Sequence, residues 1–179
     1  MRRGWHLCLA FLLHQALVAQ KIPELHGTTF SGQAVSLPEA FRGKVGILVI
    51  GFSQGSREAV TVWGTKLAAD YLDSPSVAYY EIPVLASVPK LIRGFVAGRI
   101  KASVADRGKP HFIPLTEDEA AWRALVHYQA PDDAYLLLVD GDGIVHWQTQ
   151  GPATDTTYAA LTERVHALQA HLRSAASGN

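Results

Sequence analysis

The chain has 179 residues, enough for one domain with a real core, and its 16 basic residues balance 16 acidic ones. No positive excess is available to neutralise a phosphate backbone, so nucleic acid is excluded as the expected partner. With 48% hydrophobic and 18% charged residues the composition is that of a folded, globular protein.

Arg2 and Arg3 precede an apolar run from Trp5 to Ala19. That pattern predicts a secretory signal peptide over residues 1–19, followed by a single domain over 20–179 and an exported, periplasmic or secreted location. An uncleaved membrane anchor is the alternative, although the run is short for a span. Cleavage after Ala19 removes Cys8, the only cysteine. The mature chain then has no thiol, and so no disulfide and no thiol redox chemistry.

The domain opens with Phe30 to Leu37, where Val35 and Leu37 alternate around a Ser-Gly turn and predict a small hairpin. Pro38 to Gly43 reads as one turn. Lys44 to Ile50 is an apolar strand of the kind buried on both faces. A helix is expected to start within Ser53 to Ser56, capped by either serine, with Val60, Trp63, Leu67 and Tyr71 facing inward. Val77 to Val84 is the next strand. A second helix over about 89–104 is expected to bury Leu91, Ile92, Phe95, Val96 and Ile100. Thr116 to Glu119 has the form of a capping box opening a helix through Trp122 and Leu125. Tyr135 to Asp140 and Ile144 to Thr149 are strands joined by Gly141-Asp142-Gly143, a hairpin signal. Thr154 or Asp155 then caps a last helix with Tyr158, Leu161, Val165 and Leu168 on one face.

The order is hairpin, β, α, β, α, α, β, β, α. An α/β core that ends in an antiparallel hairpin and a C-terminal helix is the thioredoxin-like plan, with an N-terminal β-hairpin and an inserted helix.

Gly51-Phe52-Ser53-Gln54-Gly55-Ser56 supports two chemistries. As G-x-S-x-G it is a nucleophile elbow, and Ser53 with Asp140 and His166 makes a serine hydrolase the alternative function. Only a hairpin and one strand precede Ser53, however, and no glycine-rich oxyanion loop lies upstream. As F-S-x-x-S it lies where redoxin-type proteins carry W-C-x-x-C, at a helix N-terminus that lowers a thiol pKa. Phe30-x-Gly32-x-x-Val35-x-Leu37 and Arg42-Gly43-Lys44-Val45 resemble the entry of that group. The resemblance makes Ser53 and Ser56 a degenerate C-x-x-C pair, with serine hydroxyls too weakly acidic for the dipole to ionise. It also places Tyr135 where the group carries its cis-proline. A divergent redoxin-like oxidoreductase is the third functional alternative.

The second half carries Tyr79-Tyr80-Glu81-Ile82-Pro83-Val84, a basic helix with Ile92-Arg93 and Arg99-Ile100, His111, Leu115-Thr116, and Leu138-Val139-Asp140-x-x-Gly143-x-Val145-x-Trp147. These segments resemble the mitochondrial ATP-synthase assembly factor family, cysteine-poor thioredoxin-like proteins that help install a membrane subunit of the proton channel. The leader resembles a bacterial export signal, so a bacterial-type relative is expected. The resemblance implies a non-catalytic, chaperone-type assembly protein whose partner is a protein, in particular a membrane protein complex.

No cofactor and no metal are expected. Asp140-Gly-Asp142-Gly143 lacks the ligand spacing of a calcium loop. His166 and His171 are five apart and do not share a helical face. Trp63, Trp122 and Trp147 are expected as core anchors. In the 90–109 segment Lys90, Arg93, Arg99, Lys101, Arg107 and Lys109 stand against the single acid Asp106. Arg93, Arg99 and Lys101 are the candidate partner-binding residues, for an acidic protein loop or a peripheral contact with anionic lipid.

Overall fold

The computed structural model describes residues 20–177, and the expected leader with Cys8 lies outside the described residues. A hairpin of β1 (Leu25–Thr28) and β2 (Ala34–Leu37) leads through a short 3-10 turn into β3 (Val45–Gly51). Then follow α1 (Arg57–Tyr71), β4 (Val77–Pro83), α2 (Lys90–Ser103), α3 (Glu119–Leu125), β5 (Ala134–Val139), β6 (Val145–Gln150) and α4 (Asp155–Ser177).

The main sheet has the order β4-β3-β5-β6. β3 runs parallel to β4 and antiparallel to β5, which is antiparallel to β6. A mixed sheet that ends in an antiparallel hairpin before a C-terminal helix agrees with the expected thioredoxin-like plan. All seven residues of β3 are buried, and strand alternation sends them to two cores. Val45, Ile47 and Val49 meet Trp63 and Leu67 of α1 and Leu161 and Val165 of α4. Leu48 and Ile50 meet Leu25, Phe41, Trp122 and Val126 on the opposite face. The unbroken apolar run of β3 is therefore what two covered faces require.

Three local expectations are corrected. The first strand of the hairpin is Leu25–Thr28, and Phe30 lies in its turn. Thr29 fixes that turn: its N–H donates to the Gln33 carbonyl at 2.8 Å and its Oγ1 accepts the Gln33 N–H at 3.1 Å. Thr116 caps nothing; α3 begins after Asp118, which adopts a left-handed φ of 55°, and Glu119 turns forward to Arg123 at 2.6 Å.

The third correction concerns α2, which contains no buried residue. Leu91 is 95% exposed, Phe95 69% and Ile92 48%. Val96 and Ile100 are half-buried, together with Arg93. Two apolar rows run along this helix, one through Leu91 and Phe95 and one through Ile92, Val96 and Ile100. Periodicity alone does not choose between them. Arg93 does: its guanidinium donates to the carbonyls of Ala86 at 2.8 Å, Val88 at 3.0 Å and Thr116 at 3.2 Å. That side faces the protein, so Leu91 and Phe95 face out.

Candidate functional site

β3 ends at Gly51, and the chain turns through residues 52–56 into α1. Ser53 holds this turn from both sides. Its Oγ accepts the Ser56 N–H at 3.2 Å and donates to Asp132 Oδ1 at 2.8 Å. Ser56 is buried, and its hydroxyl donates to the Ser53 carbonyl at 2.9 Å. The N-cap of α1 is Ser56, and neither serine makes the expected side-chain cap bond to the first turn; Ser53 instead satisfies the Ser56 amide just ahead of the helix. Both hydroxyls are committed, that of Ser56 within the turn and that of Ser53 to Asp132.

Asp132 arrives from the loop before β5. Gly51 pairs with Ala134 and Ile50 with Tyr135, so the residues ahead of Ala134 lie beside the turn that follows Gly51. Gly55 is needed there, because a Cβ on it would strike the Asp132 carboxylate. The tyrosine expected at the proline position, Tyr135, lies one residue inside β5 and is buried. Its hydroxyl accepts the N–H groups of Gln129 and Ala130, each at 2.9 Å, and donates to the Ala130 carbonyl at 3.0 Å. Tyr135 therefore fixes the loop that delivers Asp132, which is the residue that meets Ser53.

Aromatic packing closes the inner side. The Phe52 ring meets Tyr128 and Tyr135 edge-on, with centroids 5.0 and 5.5 Å apart. The Arg123 guanidinium lies 3.8 Å from the Tyr128 centroid and 5.1 Å from that of Phe52. These are favourable cation–π contacts, and the cation is already paired with Glu119.

The hydrolase constellation is not assembled. Ser53 follows the Gly51 end of β3, beside Ala134, whereas Asp140 follows Val139 at the far end of β5. Six strand residues separate them, about 20 Å. Asp140 instead organises its own turn: Oδ1 accepts the N–H groups of Asp142 and Ile144, each at 3.0 Å, and Oδ2 meets His146 Nε2 at 2.8 Å. Burial opposes charge on Asp140, but the bonds from His146, Ile144 and Asp142 outweigh it and hold its carboxyl below the usual range. This hairpin geometry also accounts for Asp140-Gly-Asp-Gly143 without calcium. His166 is exposed on α4. A nucleophilic serine needs a base within hydrogen-bond reach, and the side chain Ser53 reaches is a carboxylate. Among the described residues, no group of three His, Cys, Asp or Glu side chains is arranged to hold a metal.

The three basic candidates divide. Arg93 is the inward anchor of α2, while Arg99 and Lys101 are exposed. Among the described residues neither of these two forms an ion pair.

One buried acid stands apart from this turn. Glu81 in β4 is 6% exposed and shares a face with Val77 and Tyr79, toward α1. Its carboxylate lies where a Cβ on Gly64 of α1 would be. Desolvation pushes its pKa up to about 8.

Asp132, Glu81 and the outward row of α2 were missed by sequence reasoning. Glu81 did carry a signal, since alternation along Val77-Ala-Tyr-Tyr-Glu81 puts it beside buried Tyr79. Asp132 carried none, because its contact with Ser53 joins positions 79 residues apart.

Solved structures share this architecture. The thioredoxin domain of a thiol-disulfide oxidoreductase from Bacteroides vulgatus aligns with a TM-score of 0.57 and 17% identity, covering 82% of this chain and 96% of that one. BsSco, a member of the Sco family of cytochrome c oxidase assembly proteins, aligns at 0.58 and 17%, covering 86% and 95%. StoA from Bacillus subtilis aligns at 0.54 and 18%, covering 78% and 96%. These likenesses establish the thioredoxin-like fold. No curated protein sequence matches the chain. The family model of the ATP10 protein matches residues 12–168, nearly the whole length, and the chain therefore belongs to the ATP10 protein family.

Proposed function

We propose that this protein is a non-catalytic, chaperone-type assembly factor that binds a membrane protein complex and uses no thiol chemistry. The observation that carries the proposal is the bonding of Ser53. At the helix N-terminus where thioredoxin-like oxidoreductases hold a reactive thiol, this chain has a hydroxyl engaged by Asp132 and by the Ser56 amide. A carboxylate 2.8 Å from that oxygen would disfavour negative charge on it. The turn thus serves to hold β3, α1 and the loop before β5 together.

Membership of the ATP10 family supports the assembly role, and the resemblance of the second half to ATP-synthase assembly factors makes the membrane sector of that enzyme the proposed client. The leader pattern over residues 1–19 supports an exported location, with the domain beside the membrane that holds the client. The test is affinity purification of the tagged full chain from native membranes in mild detergent. Recovery of a membrane-embedded ATP-synthase subunit is expected; recovery of the protein alone, with every such subunit in the flow-through, contradicts the proposal.

A further inference from the structure

We propose that the outward face of α2 is a membrane-interface element that docks on anionic phospholipid. At about 100° per residue, Leu91, Phe95, Gly98 and Ala102 fall within about 60° of one another on a helical wheel. All four are exposed, and a Cβ on Gly98 would meet nothing within 4 Å. Leu91 and Phe95 are the two most exposed of the large apolar side chains on the described surface. Arg99 lies along one border of this stripe, and Lys90 and Lys101 lie along the other. Half-buried Arg93, Val96, Ala97 and Ile100 occupy the opposite side.

Charge complementarity selects the occupant. α2 contains no acidic residue, and among the described residues Lys90, Arg99 and Lys101 form no ion pair. The nearest acid in sequence, Asp106, is bonded to Lys109. An apolar stripe bordered on both sides by free cations fits the boundary of an anionic bilayer, where apolar side chains enter the acyl region and cations remain among the phosphates. The 14-residue helix is about 21 Å long, short of the ~30 Å hydrocarbon core. It therefore lies in the interface and does not cross it. This inference is independent of the identity of the client complex.

The test uses the full chain with Cys8→Ser and a nitroxide on Ala102→Cys, so that the signal comes from α2 and not from the N-terminal segment. A nitroxide on Glu163→Cys, on α4, serves as reference. With vesicles of phosphatidylcholine and phosphatidylglycerol, the label at 102 is expected to gain collisions with oxygen and lose collisions with a water-soluble nickel chelate, while the label at 163 does not change. Lys90→Glu with Arg99→Glu and Lys101→Glu should weaken vesicle binding through α2 by roughly a hundredfold or more. Leu91→Ser with Phe95→Ser should abolish immersion while circular dichroism stays native. An aqueous label at 102 on anionic vesicles overturns the proposal, even if the chain sediments with them. So does equal immersion in pure phosphatidylcholine. Shielding only by native membranes, and not by vesicles of their extracted lipids, overturns it in favour of a protein partner.

Discussion

Ser53 donates its hydroxyl proton to Asp132 at 2.8 Å, joining the start of α1 to the loop before β5 across 79 positions of chain. The same oxygen accepts the Ser56 amide, so one side chain ties the turn before α1 to the loop that carries Asp132.

Removing that oxygen should act on stability. Ser53→Ala is expected to cost about 1 kcal/mol, the usual net worth of an intramolecular hydrogen bond. In a double-mutant cycle with Asp132→Ala, the second substitution should cost less once the first is present, because both remove one shared bond. Urea unfolding of the four proteins measures this. Strict additivity would mean that the contact contributes nothing.

The same geometry predicts silence toward hydrolase probes. A fluorophosphonate should leave Ser53 unlabelled, since among the described residues no imidazole is bonded to it and Asp140 lies about 20 Å away at the other end of β5. Covalent modification of Ser53, located by peptide mass spectrometry, would restore the hydrolase alternative.

Glu81 predicts an unusual pH dependence. Its folded pKa of about 8 lies above the ordinary 4.5, so the native state holds the proton more tightly than the unfolded state does. The contribution of Glu81 to stability is then full below about 4.5, falls as pH rises toward 8, and levels off beyond it. At 1.36 kcal/mol per unit, the loss attributable to Glu81 is on the order of 5 kcal/mol at most. Glu81→Gln should remove this slope and be the more stable protein at pH 8. Parallel urea midpoints against pH for the two proteins would refute the assignment.

Arg93 should behave as a structural residue. Arg93→Ala leaves the carbonyls of Ala86, Val88 and Thr116 without their shared donor, at roughly 2 kcal/mol. The loss should be local, because α2 buries no side chain and has little else to hold it. Faster hydrogen exchange and proteolysis within 90–103 is expected, with the sheet protected as before. Arg93→Lys should rescue poorly, since an ammonium cannot span three acceptors as a planar guanidinium does. Full rescue by lysine would leave charge, and not the fork of donors, as the operative property.

Much of the fold was legible in the sequence. Val45 to Ile50 announced a strand covered on both faces, Gly141-Asp-Gly143 announced the hairpin, and of the two expected caps, Thr154 and Asp155, it is Thr154 whose Oγ1 accepts the Thr157 amide at 3.1 Å. These features are local, fixed by a few neighbours and a period of 2 or 3.6. The orientation of α2 was not legible. Both its faces carry apolar residues, and the choice depends on Arg93 finding carbonyls at 86, 88 and 116, two of which precede the helix and one of which follows it by more than a turn of chain. The candidate site was half legible for the same reason. Ser53 and Ser56 were found from spacing at a helix start, whereas their partner comes from a loop whose position is set by Tyr135 and the β3–β5 register.

The most direct test of the proposed thiol-free assembly role, with ATP synthase as the proposed client, is the amount of that complex assembled in membranes of cells that lack the native chain and receive a variant. The variant combines Cys8→Ser, Ser53→Ala and Ser56→Ala, so that neither a thiol nor a hydroxyl remains at the positions where chemistry has been considered. Provided its circular dichroism matches wild type, the account predicts that it restores the assembled complex to the wild-type level, well above cells given no chain. A folded variant that restores none of it would contradict the account and return Ser53, Ser56 or Cys8 to a catalytic role.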